Sequence, residues 1–238
     1  MYNDLLSKGV AMFLFDRPYQ YFEEPWPHIV IENVLPEDVA ERMLNNWPDN
    51  LPPRGLGDPV YYEDKWFSDH KDQVFDDFEQ VNFIDRADDV LKVLAEAFNE
   101  PVFDDCDIDG LMYRDDKFSN LPTKQKTVQD QIGKIENVIS ETGEVIGQKK
   151  IMRGWHLDNP NKKYHGMLYI GSGENSEFVA GNEKTGIDKT YEYRHNRLIM
   201  WRNTPDTLHK FYCGVESRKT ISIACNYKLG YSQPWPHK

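Results

Sequence analysis

The sequence predicts a mainly β protein with flanking helices, built as an antiparallel sandwich or barrel. Two observations support this fold class. Helical stripes of apolar residues occur before about residue 100, whereas the rest of the chain carries short strand-like runs separated by polar turns. A chain of 238 residues can also bury one large core. We therefore expect a single domain over residues 1–238, with 1–105 as a helical support region containing N-terminal strands and 106–238 as the β core.

The first half of the chain contains the helical patterns. Residues 28–34 are rich in β-branched side chains and predict a strand, after which Pro36 suits the first position of a helix. Apolar residues at helical spacing predict that helix over 37–47. A second stripe, from Ala87 to Phe98, predicts another helix before Pro101. Both stripes are typical of helices that pack on a core.

The β prediction for the rest of the chain comes from runs of β-branched and aromatic residues bounded by turn-forming residues. A Thr142-Gly143 turn separates two of them and predicts a hairpin, and a short strand near Val60 precedes the whole set. The strand-like runs after residue 100 are 110–114, 136–139, 144–147, 166–170, 190–194, 197–201 and 219–227.

Charge and hydropathy exclude two classes of partner. The net charge is -12 and the acidic residues are spread along the chain without a long basic stripe, so binding to a phosphate backbone is not expected. No segment approaches the roughly 18 consecutive apolar residues that a membrane span requires. The three cysteines, Cys106, Cys213 and Cys225, fit neither a disulfide framework nor a zinc motif, which favours a cytoplasmic protein.

Three residues form a candidate metal site. His156 and Asp158 are two residues apart, so in extended chain their side chains project from the same face, roughly 6.5 to 7 Å apart. His209 follows a strongly apolar run 51 residues after Asp158, which leaves room for strands that return the chain to the same mouth of a barrel. Two histidines and one carboxylate suit a non-haem Fe(II) oxygenase, and zinc hydrolases or cupin-like isomerases use similar ligands.

Arg218 favours the oxygenase among these alternatives. Arg218, Thr220 and Ser222 alternate with apolar residues, so one face of the predicted strand is polar and cationic. A guanidinium beside a hydroxyl can bind a carboxylate in forked geometry. Arg218 also follows the candidate ligand His209 by nine residues. We interpret it as the anchor of a dicarboxylate cosubstrate.

Other polar and aromatic residues carry weaker signals. His70, His165 and His195 have no partners at ligand spacing, and we expect them to be solvent-facing or structural. Four further residues flank the metal segments and are candidates for the entrance of the site, although packing or surface roles are the more common ones for such residues: Arg153, Trp155, Trp201 and Arg202.

The pattern of His-x-Asp, a distant His and then an Arg resembles the 2-oxoglutarate/Fe(II) oxygenase superfamily. The chain is similar in particular to the prolyl 4-hydroxylase-like branch found in bacteria and viruses. The matching segments are PWPHIVIENVLPEDVAERM, WHLDNPNKKYHGMLYI and RLIMWRNTPDTLHKFY.

The resemblance implies a double-stranded β-helix, or jelly roll, of the cupin-like type. It implies that His156, Asp158 and His209 hold Fe(II), and that Arg218, assisted by Thr220, anchors the cosubstrate 2-oxoglutarate. Tyr113 matches a cosubstrate-contacting tyrosine of the family. Between Tyr113 and His156 the chain departs from the family pattern by an insert at about 119–150, which we expect to cover the mouth.

The implied reaction is hydroxylation of a C–H bond with O2 as second cosubstrate and release of succinate and CO2. A prolyl residue in a peptide is the leading substrate by family analogy, and a free amino acid or small metabolite is the alternative. A hypothesis from another class is a non-catalytic jelly-roll binding module. The sequence leaves the oligomeric state open.

Overall fold

The computed structural model describes residues 17–47, 60–61, 87–101, 106–117, 134–182, 185–214 and 217–228, with the backbone alone at 60–61, 87–89, 107–117 and 217. Within these ranges the strands are β1 Gln20–Phe22, β2 His28–Glu32, β3 Val60–Tyr61, β4 Cys106–Lys117, β5 Ile135–Ile139, β6 Val145–His156, β7 Lys162–Tyr169, β8 Glu177–Asn182, β9 Ile187–Glu192, β10 Arg197–Arg202, β11 Leu208–Cys213 and β12 Ser217–Tyr227. The helices are α1 Glu37–Asn45 and α2 Ala87–Ala97.

The strands form two antiparallel sheets. Among the described residues the larger sheet has the order β1-β2-β10-β7-β12-β4-β3 and the smaller has the order β5-β6-β11-β8-β9. From β6 to β8, and again from β10 to β12, each successive strand lies in the opposite sheet, which is the connectivity of a jelly roll. The predicted fold class, mainly β with flanking helices in a jelly roll, is confirmed.

The two faces of the larger sheet are buried in different ways. Leu168 and Ile221 point to the outer face, where they pack in one cluster with Met43 of α1 and Leu94 of α2. Tyr169 points to the inner face and packs with Phe178 of the smaller sheet. Alternate residues of a strand therefore serve two cores, one under the helices and one between the sheets.

The helices and strands differ in detail from the sequence predictions. Pro36 lies just before α1 with φ −52° and ψ 139°, so it precedes the helix instead of being its first residue. The Thr142-Gly143 turn between β5 and β6 is confirmed, with Gly143 at φ 85°. Among the described residues neither helix is long and apolar enough to cross a membrane.

Three strands have no counterpart among the sequence predictions: β1, β8 and β11. β8 carries Ala180, Gly181 and Asn182, residues of low strand propensity, and is held by its pairing with β9 and β11 on both sides. Its strand character therefore comes from its neighbours in the sheet rather than from its own residues.

The insert predicted at about 119–150 contains the β5–β6 hairpin. Its turn lies at the start of β6, whereas His156 ends that strand, so the turn and the metal segment are at opposite ends of β6. Residues 118–133, the other part of the insert, lie outside the described residues.

The turn between β9 and β10 is joined to the chain before α1 by one side chain. Asn196 has φ 60° and is buried. Its side-chain Oδ1 accepts a hydrogen bond from the Leu35 amide at 2.8 Å, and its Nδ2 donates to the Leu35 carbonyl at 2.8 Å. The side chain thus satisfies both backbone polar groups of one buried residue, Leu35.

Replacing Asn196 with alanine is expected to lower the free energy of unfolding by about 2 to 4 kcal/mol, because two buried backbone groups lose their partners and alanine tolerates a positive φ poorly. Urea unfolding measures the change. Asn33→Ala is the matched control, since Asn33 has φ 50° on an exposed residue, and should cost only about 1 kcal/mol. Equal losses in the two variants would contradict the assignment.

Candidate metal centre

The pairing of β6 with β11 brings the two candidate histidine ligands together. His156 is the last residue of β6 and lies directly opposite His209 of β11 in the antiparallel register. Directly opposed residues project from the same face of a sheet, and the two ring centroids are 4.2 Å apart. Asp158 follows β6 by two residues, and its Oδ2 is 3.5 Å from His209 Nε2. Possible ligand atoms of all three residues lie within 4.8 Å of one another.

Backbone carbonyls orient both imidazoles. His156 Nδ1 is 2.8 Å from the Gly154 carbonyl oxygen, and His209 Nδ1 is 2.9 Å from that of Thr207. A carbonyl only accepts, so each Nδ1 carries the proton and each Nε2 carries a lone pair. Both Nε2 atoms are buried, and neither has a hydrogen-bond partner within the part of the chain that the structure describes.

Two buried acceptors without a partner are costly unless a ligand satisfies them. A divalent cation fits this arrangement, since neutral imidazole nitrogens and one carboxylate are its common ligands, and the Nδ1–carbonyl bonds have the geometry that supports metal-bound histidines.

The electrostatics of the site keep its ligands deprotonated. Burial, together with the neighbouring His209 and Arg153, lowers the pKa of His156 to about 2. Burial also lowers the pKa of His209. For Asp158, burial acts to raise the pKa, but His165, His209 and the Lys162 ammonium outweigh it and hold the pKa well below its usual value. The centre therefore offers two neutral nitrogens and one anionic carboxylate at neutral pH.

Arg218 lies on the inner face of the larger sheet, which faces the sheet that carries His156 and His209. It is 1% exposed at the start of β12, and Thr220 and Ser222 are buried on the same face. Ile221 and Ile223 pack in the other core, under the helices. The predicted alternation of a polar inner face with an apolar outer face is therefore confirmed.

Sulfur atoms and aromatic rings surround the Arg218 guanidinium. Its nitrogens are 2.8 Å from Met167 Sδ and 3.9 Å from Met152 Sδ. Its Cζ lies 5.3 Å from the ring centroid of Tyr169 and 5.0 Å from that of Phe211. These four partners are uncharged. An anionic ligand would add a charge-assisted hydrogen bond to the guanidinium.

Tyr169 and Thr220 are further buried polar residues of the inner face of the larger sheet. They are directly opposed on β7 and β12, and both are fully buried. Among the described residues, neither the Tyr169 hydroxyl nor Thr220 Oγ1 has a hydrogen-bond partner. Burial raises the pKa of Tyr169, which keeps the hydroxyl protonated and able to donate. Tyr169 is absent from the sequence predictions, although it alternates with His165 and Met167 along β7.

The other predicted site residues have different outcomes. The backbone of Tyr113 lies opposite Ile221, while its side chain is outside the described residues. Of the candidates for the entrance, Trp201 is buried with its ring 5.0 Å from that of His209. Trp155 lies in the cluster with Ile151, Val179 and Tyr212. Arg202 is exposed and forms an ion pair with Glu100 at 2.6 Å. Arg153 is half-buried.

For His165 the prediction left two alternatives, solvent-facing or structural, and the structure supports the structural one. His165 is 5% exposed and its Nδ1 is 2.5 Å from Asp158 Oδ2. His165 lies seven residues after Asp158, on the next strand. This spacing matches no ligand motif, so the sequence did not indicate the contact with Asp158. For His195 a structural role is confirmed, because its Nδ1 accepts a hydrogen bond from the Gly171 amide at 2.8 Å. His70 lies outside the described residues.

The buried histidines make the stability of the metal-free protein depend on pH. Burial, the largest cause, lowers the pKa of His28 and of His165 to about 4, so both join His156 and His209 in staying neutral in the folded state. Above pH 6.5 these imidazoles are neutral in both states and contribute no difference. As the pH falls from 6.5 to about 4, the unfolded chain binds protons that the folded chain does not bind.

The free energy of unfolding is therefore expected to fall by about 1.4 kcal/mol per pH unit for each such histidine below pH 6.5. Urea unfolding in the presence of a chelator, between pH 7.5 and 5, measures this slope. His28→Gln should lower this slope by the contribution of one bound proton, and it leaves the residues of the metal centre unchanged. A stability that is flat over this range would contradict the burial of neutral imidazoles.

No protein-family model and no curated protein matches the sequence. Solved structures resemble the chain, among them the following three. A prolyl-4-hydroxylase from Pseudomonas putida is 11% identical with a TM-score of 0.47, over 84% of this chain and 92% of that one. A prolyl hydroxylase from Trichoplax adhaerens, in complex with a peptide fragment of hypoxia inducible factor, is 14% identical with a TM-score of 0.42, over 84% and 83%.

The third is an oxidoreductase of the 2OG-Fe(II) oxygenase family from Burkholderia pseudomallei, which is 10% identical with a TM-score of 0.41, over 98% of this chain and 80% of that one. At these identities and TM-scores the chemical assignment rests on the side chains of the site.

Proposed function

We propose that this chain is an Fe(II)- and 2-oxoglutarate-dependent oxygenase that hydroxylates a C–H bond. One observation carries the proposal: two buried imidazole Nε2 atoms without hydrogen-bond partners face a buried carboxylate, with all ligand atoms within 4.8 Å. In this proposal His156, Asp158 and His209 are the metal ligands and catalytic residues. Fe(II) held by them, with 2-oxoglutarate and O2, would supply the oxidation of the C–H bond and yield succinate and CO2.

The inner face of β12 supports the binding of 2-oxoglutarate. Arg218 and Ser222 are four residues apart on one strand, so their Cα atoms are roughly 13 Å apart. Ser222 contacts His165 beside Asp158, and Arg218 lies at the far end of the same face. In the proposal the guanidinium binds the distal carboxylate in forked geometry, and the hydroxyls of Thr220 and Tyr169 donate to the same ligand. Tyr113 is a further proposed contact.

The surrounding residues hold the reacting groups and exclude water. Aromatic rings of Trp201, Phe178 and Phe211 pack against the ligand His209 at centroid distances of 5.0 to 5.7 Å. Such a dry, packed wall limits the motion of the ligand and protects the site from bulk solvent. Chemistry on a C–H bond needs this positioning more than it needs a protein acid or base.

We propose that residues 1–238 form one catalytic domain, in which 1–105 support the jelly-roll core of 106–238. Residues of the support region also enter the larger sheet, because β2 pairs with β10. Cys106, Cys213 and Cys225 are buried and form no disulfide with one another, and we propose a cytoplasmic location.

Binding of the metal and of 2-oxoglutarate can be tested separately. Anaerobic protein with Fe(II) and 2-oxoglutarate is expected to show a visible metal-to-ligand charge-transfer band. Asp158→Ala should lose Fe(II) binding and the band, because it removes the anionic ligand. Arg218→Met should keep Fe(II) but bind 2-oxoglutarate at least roughly tenfold more weakly, because charge-assisted hydrogen bonds are lost.

Each of these variants has a matched control. Lys219→Met removes a charge from the residue next to Arg218, and Asp188→Ala removes an exposed carboxylate from the smaller sheet. Neither should change the band. Native Fe(II) affinity in Asp158→Ala would refute the ligand assignment, and a metal site that gives no band with 2-oxoglutarate would favour a zinc hydrolase or an isomerase.

For the substrate we propose a prolyl residue in a peptide, by the family resemblance of the sequence, with a free amino acid or small metabolite as the alternative. Succinate release, measured with Fe(II), 2-oxoglutarate and O2, should rise above the substrate-free background when proline-containing peptides are added. The same peptides with alanine in place of proline are the control. Stimulation by free amino acids alone would transfer the assignment to the alternative, and stimulation by neither would contradict both.

A further inference from the structure

His165 contacts the carboxylate of the metal centre without being one of its three proposed ligands. It projects from β7 into the space between the sheets, where its Nδ1 is 2.5 Å from Asp158 Oδ2 and its Nε2 is 2.5 Å from Ser222 Oγ. Its ring packs at 67° against Trp201, with centroids 4.8 Å apart. The ring is therefore held by two hydrogen bonds and one aromatic contact, on three different strands or loops.

The direction of these hydrogen bonds follows from their partners. An ionised carboxylate only accepts, so His165 Nδ1 donates to Asp158 Oδ2. The Nε2 of this tautomer carries a lone pair and accepts from the Ser222 hydroxyl. The Lys162 ammonium lies 3.4 Å from the same Nε2 and 3.1 Å from Asp158 Oδ1. Each oxygen of the carboxylate thus has its own donor.

Asp158 needs this support because it lies outside the sheet. β6 ends at His156, and the next strand begins at Lys162, so no strand pairing fixes the backbone at Asp158. The ligands His156 and His209, in contrast, lie on paired strands and are oriented by carbonyls of their own strands or turns. An unsupported carboxylate could rotate about its side-chain bonds and lose conformational freedom on binding a metal.

We propose that His165 is a positioning residue, which with Ser222 and Lys162 holds the Asp158 carboxylate so that Oδ2 faces the two imidazole Nε2 atoms. This inference rests on the proposed function. Oδ1 is held by Lys162, and Oδ2, which accepts from His165 and lies 3.5 Å from His209 Nε2, would be the oxygen that binds the metal. Groups that orient a ligand in this way typically raise metal affinity 10- to 100-fold.

Co(II) binding to the metal-free protein tests the inference without requiring turnover. His165→Phe removes both hydrogen bonds and should weaken Co(II) binding roughly 10- to 100-fold, with a change in the visible Co(II) spectrum. His165→Asn should keep most of the affinity, because its amide N–H stands close to the position of the imidazole Nδ1–H. Ser222→Ala should weaken binding about fivefold, as expected for one hydrogen bond that fixes the tautomer.

His28 provides the matched control for a purely structural effect. It is a fully buried histidine on the inner face of the same sheet, and Trp201 lies between it and His165 in the strand register. Its hydrogen bonds go to the Trp26 carbonyl and the Tyr191 hydroxyl, away from the metal centre. His28→Phe should lower the melting temperature of the metal-free protein and leave Co(II) affinity unchanged.

Native Co(II) affinity and spectrum in His165→Phe would overturn the inference. If that variant does not fold, Ser222→Ala decides, since it barely changes the packed volume, and native affinity in it would equally overturn the inference. Asp158→Ala separates this result from the proposed function. If Asp158→Ala loses Co(II) binding while the His165 and Ser222 variants keep native affinity, the role of His165 is contradicted and the metal centre stands. If Asp158→Ala binds Co(II) with native affinity, the metal centre itself is contradicted.

Discussion

The site depends on the antiparallel register between β6 and β11. His156 and His209 face each other only because these two residues are directly paired, and a slip by one residue would turn one imidazole to the opposite face of the sheet. The neighbouring pairing supports this register. Trp26 donates from its indole nitrogen to the carbonyls of Gly181 and Leu208, at 3.0 and 3.1 Å, at the end of β8 and β11 that carries His209.

The space between the two sheets combines tight packing with polar atoms that lack partners. A core optimised for stability alone would fill it with apolar groups, because each buried polar atom without a partner costs about 1 to 3 kcal/mol. The atoms in question are His156 Nε2, His209 Nε2, Tyr169 Oη, Thr220 Oγ1 and Trp201 Nε1. Their concentration on the facing inner surfaces of the two sheets links folding to ligand binding, since whatever satisfies them also stabilises the folded chain.

Local patterns predicted much of the fold and the candidate site. The spacing of His156 and Asp158, and the alternation of Arg218 and Thr220 with apolar residues, follow from side-chain geometry within one extended segment. Helical stripes predicted α1 and α2 for the same reason. Pro36 was misplaced by one position, because its extended ψ of 139° depends on how the chain enters the helix and not on proline itself.

The sequence by itself predicted the fold class, the three proposed ligands and the position of Arg218 on the polar face of β12. These predictions came from residue types and from their spacing along the chain. Only the tertiary structure decided the strand character of β8 and β11, the pairing of His156 with His209, and the contact of His165 with Asp158 and Ser222. These depend on contacts between segments distant along the chain, which no local periodicity encodes.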